Sequence, residues 1–171
     1  MKITYTQKPK MTFIGFSTTI CSKEGYEKCP EFWDKEYNLK YARLWQTKTP
    51  QTPIEKAIIE NNIGEFAICN DKNEMFEYWI AGVYKGGEVP EGLKLFTFPE
   101  SDWVEFSTQG TIPESLQKLN TFVWQEWFKN EGKIYKTNGN AMLEVYSSGD
   151  MQSPDYTSGI CVPICKDFKS E

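Results

Sequence analysis

Leu93-Lys94-Leu95-Phe96-Thr97-Phe98-Pro99 and Val104-Glu105-Phe106-Ser107 open a stretch that reads strand, strand, helix, strand, strand as far as Pro163. Both openings are rich in β-branched and aromatic residues, which suit a pleated, half-buried surface. A helix is predicted over residues 113–128. Pro113 begins it, where a missing N–H costs least, with Thr111 as a candidate cap and Glu114 in the first turn. Leu116, Leu119, Val123, Trp124 and Trp127 form one apolar stripe at helical period. Two strands close the stretch, Ala141-Met142-Leu143-Glu144-Val145-Tyr146 and Ser158-Gly159-Ile160-Cys161-Val162-Pro163-Ile164. Glu144 is the single carboxylate in an otherwise apolar strand, and a buried charge needs a partner or a purpose.

Upstream, the same element order is predicted once already. Met11 to Ile20 reads as a strand, and a helix over residues 30–46 follows, with Pro30 in its first turn. Its stripe is Trp33, Tyr37, Tyr41, Leu44 and Trp45. Thr49-Pro50-Gln51-Thr52-Pro53 breaks it, and a shorter helix from Ile54 to Asn61 follows, capped by Thr52 with Glu55 at its third position. Glu65 to Cys69 and Glu74 to Tyr84 are strands around the turn Asn70-Asp71-Lys72-Asn73. Lys85 to Gly92 is a Gly/Pro linker. The expected fold is α+β: one domain, 1–171, of two halves, about 1–90 and 91–171, each strand-helix-strand-strand, with an antiparallel sheet and two main helices.

Composition narrows the function. The chain has 171 residues, enough for a sizeable core, and 15% of them are aromatic, which suits small-molecule pockets as well as plain packing. Net charge is −5 without a basic cluster, so direct nucleic-acid binding is not expected. No histidine is present, which removes Ser-His-Asp and Cys-His catalysis and histidine metal sites; no metal and no cofactor is implied. Five cysteines without framework spacing read as free thiols. Gly86-Gly87 lacks the context of a phosphate loop. The polar N-terminus and the lack of a long apolar run predict no membrane segment and a cytoplasmic protein.

Phe96-Thr97-Phe98-Pro99 with Trp103 to Gly110, the helix from Ile112 through Trp127, Leu143-Glu144-Val145-Tyr146, and Ile160 to Ile164 together resemble the GyrI-like effector-binding family, which includes the ligand-binding domains of multidrug-responsive transcription regulators. The resemblance runs from about Phe13 and is strongest from Leu93. It implies two modules related by a pseudo-twofold axis, with an aromatic cleft between them. It also implies a buried glutamate facing cationic, aromatic ligands, a role carried over to Glu144 alone. No helix-turn-helix precedes the first strand, so the chain is similar to the stand-alone members.

Alternation places Met142, Glu144 and Tyr146 on one strand face. Either that face meets solvent and Glu144 is an exposed strand charge, or it lines the site. Trp79, Trp33, Trp124 and Trp127 are further candidate ligand contacts; for each the alternative is plain core packing. The leading expectation is a binding module for small lipophilic, aromatic or cationic compounds. Two alternatives come with the resemblance: a hydrolase of reactive cyclopropane-type compounds, in which Glu144 activates water or stabilises positive charge and Tyr146 donates a proton, and a gyrase-inhibitor-like module with a protein partner.

Overall fold

The structure, a computed structural model, describes residues 1–168. The chain divides into two compact units. One is Thr12–Thr97; the other joins Met1–Met11 to the chain from Phe98 onward. Among the described residues there are nine strands and four α-helices, and the strand pairings within the units are antiparallel. The fold is α+β, as expected, and each unit adds further strands to a strand-helix-strand-strand core.

The Thr12–Thr97 unit is rich in helices. Its strands are β2 (Met11–Cys21), β3 (Phe66–Lys72), β4 (Met75–Val83) and β5 (Lys94–Phe98), in the spatial order β3-β4-β2-β5. The helix predicted over 30–46 is not one helix. Helix α1 (Gly25–Trp33) begins earlier and holds Pro30 inside it, a π-helical segment follows at Asp34–Leu39, and α2 (Ala42–Thr47) completes the run. The apolar stripe survives this break. Leu44 is buried with Ile14, Ile58, Ile63 and Ile80, and Trp33, Tyr37, Tyr41 and Trp45 pack against that cluster. The π segment adds a residue to one turn without turning the stripe from the sheet. Helix α3 (Pro53–Glu60) follows its sequence signature, since the Thr52 hydroxyl accepts from the Glu55 N–H at 3.2 Å.

The second unit has a single long helix. Its strands are β1 (Lys2–Lys8), β6 (Ser101–Gln109), β8 (Ala141–Tyr146) and β9 (Thr157–Lys166), in the order β1-β6-β9-β8, with β7 (Tyr135–Thr137) also on β9. Strand β1 was not expected, and it groups Met1–Met11 with the second half of the chain instead of the first. Each unit thus takes as its fourth strand the segment that precedes the other unit's first core strand: β1 lies on β6, and β5 lies on β2. Helix α4 (Glu114–Gln125) covers the sheet through Leu116, Leu119 and Val123, all buried. It starts without the expected Thr111 cap; that hydroxyl pairs with the Glu114 carboxylate at 3.3 Å instead. A short 3-10 turn, Trp127–Lys129, continues it.

Candidate functional site

The helical stripe of α4 separates its two tryptophans. Trp127 is 1% exposed, edge-on to Phe106 at 5.1 Å and stacked on Tyr135 at 6.2 Å. Gly132 passes so close that a Cβ there would meet the Trp127 ring at 2.4 Å. Trp127 is therefore an element of the core. Trp124, a residue off the stripe's centre line, is 36% exposed, stacked on Phe128 at 5.1 Å, and donates to Asn120 at 3.0 Å.

Glu144 and Tyr146 are brought together. Their strand register pairs Glu144 with Ile160 and Tyr146 with Ser158, and Ile160 pairs in turn with Phe106. Directly opposed residues share a face. Phe106 meets Phe122 and Trp127, so Glu144 and Tyr146 stand on the face of this sheet that carries α4. Met142 and Tyr146 are buried and Glu144 is half-buried, so this face is not open solvent. The Tyr146 hydroxyl donates to Glu144 Oε2 at 2.5 Å, and a bond of this kind to a carboxylate orients it on the half-buried face. A phenol can also accept, so the pair can receive a proton donor at the tyrosine oxygen or a positive charge at the carboxylate.

The other unit carries a second carboxylate with the same spacing to a ring. Glu77 and Trp79 share a face of β4, and the Trp79 indole N–H donates to Glu77 Oε1 at 2.6 Å. Phe96 on β5 lies edge-on to Trp79 at 5.6 Å, and the Lys94 ammonium sits over the indole at 5.3 Å from the ring centre. Trp79 is 3% exposed. Sequence reasoning found Trp79 but passed over Glu77; the carboxylate-x-aromatic spacing that Glu77-Tyr78-Trp79 shares with Glu144-Val145-Tyr146 also occurs at Glu31-Phe32-Trp33 and Glu74-Met75-Phe76, and the indole hydrogen bond is what distinguishes Glu77.

Trp33 belongs elsewhere. Its indole donates to the Tyr78 hydroxyl at 2.9 Å, and Tyr78 points to the helix-covered face, toward Phe32. Neighbouring strand residues face opposite ways, so the sheet of this unit separates Trp33 from Trp79. Trp33 joins a helix-side aromatic group with Tyr37, at 5.2 Å, and Trp45. The Tyr37 hydroxyl donates to the Ile63 carbonyl at 2.5 Å, and burial, with Glu65 nearby, pushes its pKa upward.

Among the described residues no group of three or more His, Cys, Asp or Glu could hold a metal ion, and no helix is long and apolar enough to cross a membrane. All five cysteines are free thiols. Cys161, on the face of β9 away from α4, is buried; desolvation and then Glu105 push its thiol up to about 12.

Solved structures share the fold. SAV2435, in a structure with bound tetraphenylphosphonium, aligns with a TM-score of 0.74 at 19% identity over 96% of this chain and 94% of that one. The C-terminal domain of EcmrR aligns at 0.60 and 15% identity over 97% and 98%. An integron cassette protein from Vibrio cholerae aligns at 0.58 and 13% identity over 95% of each. No curated protein sequence matches the chain. A family model, that of the Cass2 integron-associated effector-binding proteins, matches residues 4–164, nearly the whole chain. The chain belongs to the Cass2 family of integron-associated effector-binding proteins, with the GyrI-like fold implied by the order of its strands and helix from Phe96 to Ile164.

Proposed function

We propose that this protein binds small lipophilic cations and that Glu144 is their principal charged contact, with Tyr146 as its hydrogen-bonding companion. The observation that carries the reading is the Tyr146 hydroxyl bound to Glu144 Oε2 on a largely buried strand face. A carboxylate held half out of water, beside aromatic and apolar side chains, favours a cation whose own charge is spread and weakly hydrated. Such a ligand loses little on leaving water and gains both Coulombic and ring contacts. Membership of an effector-binding family supports the small-molecule part, and the tetraphenylphosphonium bound to SAV2435 supports the chemical class. The reading includes no direct nucleic-acid contact, in keeping with a net charge of −5.

Calorimetric titration of the protein with tetraphenylphosphonium, alongside neutral triphenylphosphine oxide, tests it. Saturable binding of the cation, with a rise in melting temperature that grows with ligand concentration, is the expected outcome. Equal binding of the neutral oxide, or no binding of the cation at millimolar concentration, would remove the charge-recognition reading.

A further inference from the structure

Lys94 on the indole of Trp79 carries an inference beyond the Glu144 site. We propose that Glu77, Trp79 and Phe96 form a second cation seat, on the sheet of the Thr12–Thr97 unit, and that the Lys94 ammonium occupies it as a tethered cation which an organic cation displaces. The proposal rests on contacts within one unit and does not need Glu144.

Several features converge. The Lys94 nitrogen lies 5.3 Å from the Trp79 ring centre, within the distance at which an indole face attracts a cation. The indole N–H is given to the Glu77 carboxylate at 2.6 Å. A hydrogen bond to an anion pushes electron density into the ring and strengthens its negative face. Phe96, edge-on at 5.6 Å and 71°, holds the indole plane in place and walls one side. The seat is therefore a ring polarised by an acid, braced by a second ring and already matched to positive charge.

The present occupant is weakly held. Lys94 is exposed on β5 and takes part in none of the ion pairs among the described residues. An ammonium is also strongly hydrated, and its long stem loses rotamer freedom when pinned. A delocalised aromatic cation has neither handicap, so it competes well for the same ring. Removing the Lys94 charge should therefore help such a ligand, whereas deleting a contact residue would hurt it. This opposite sign separates an occupant from a wall.

Tetraphenylphosphonium is the probe, with triphenylphosphine oxide as the neutral control. Lys94→Met keeps the stem and removes the ammonium. It should raise the cation affinity about two- to fivefold, the scale of an exposed cation–π contact, and leave the oxide unchanged. The gain should persist at roughly 0.5 M salt, where a general charge effect is screened. Adding Glu77→Gln to Lys94→Met should reverse the gain without unfolding, since Gln still accepts the indole N–H. The same substitutions made in Glu144→Gln keep the two readings apart. A Lys94→Met gain that survives there supports an independent seat. Cation binding that Glu144→Gln weakens but Lys94→Met leaves unchanged, or moves only at low salt, overturns this proposal and spares the other. No cation binding by Lys94→Met at millimolar probe overturns it as well.

Discussion

Two strands, one in each unit, place a carboxylate two residues before a polar ring and join them by a hydrogen bond, yet they arrive at different chemistry. On β8 the donor to Glu144 is the phenol of Tyr146; on β4 the donor to Glu77 is the indole of Trp79. A phenol oxygen can accept while it donates, so the β8 pair can pass a hydrogen bond on to a ligand. An indole N–H only donates, so on β4 the ring nitrogen has nothing further to offer a ligand and what the pair presents is the ring face, over which Lys94 already sits. The same spacing thus yields a polar relay in one unit and a π platform in the other.

The largest break in this comparison should come from Trp79→Ala. Trp79 is buried and its ring is the platform itself, so its loss should cost about 3–5 kcal/mol of stability, measurable by denaturant unfolding. Tyr146→Phe, by contrast, keeps the ring and deletes only the relay. Its cost should be about 0.5–1.5 kcal/mol, and it should weaken cations with N–H groups more than quaternary ones. A Tyr146→Phe protein as stable as the parent and with the same order of cation affinities would mean that the Tyr146 hydroxyl relays nothing.

A smaller effect tests the other face of the β8–β9 pair, where Cys161 lies opposite Leu143. Its folded pKa, about 12, lies above its ordinary value of 9.0, so the neutral thiol's contribution is complete below about pH 9 and is lost as pH rises toward 12. Cys161→Ala should therefore flatten the alkaline limb of stability against pH and leave cation binding at neutral pH untouched. A changed cation affinity would mean that the two faces of this pair are coupled.

Much of the fold was legible because burial leaves periodic marks. The apolar run Ile160–Ile164 and the alternation through Ala141–Tyr146 gave β9 and β8, and Thr52 with Glu55 gave the start of α3. Strand β1 escaped because Lys2-Ile3-Thr4-Tyr5-Thr6-Gln7-Lys8 is an edge strand with a polar, largely exposed sequence, stabilised by its backbone pairing to β6. The π segment at Asp34–Leu39 escaped because spacings that fit an α-helical stripe also survive one inserted residue. Glu144 announced itself as a lone charge among apolar residues. Glu77 did not, because Glu74, Met75 and Phe76 before it made an acid on that strand look ordinary. Neither could spacing tell Trp127 in the core from Trp124 at its margin, since that depends on what packs against α4, notably Phe106 and Gly132.

The most direct test of charge recognition is the affinity of Glu144→Gln for tetraphenylphosphonium, taken as a ratio to its affinity for triphenylphosphine oxide. Gln keeps the shape and can still accept from Tyr146, so the fold should survive while the charge is gone. The cation should lose about 1.5–3 kcal/mol, roughly ten- to hundredfold, and the neutral compound much less. A Glu144→Gln protein that binds the cation as tightly as the parent would contradict the assignment of Glu144 as its charged contact.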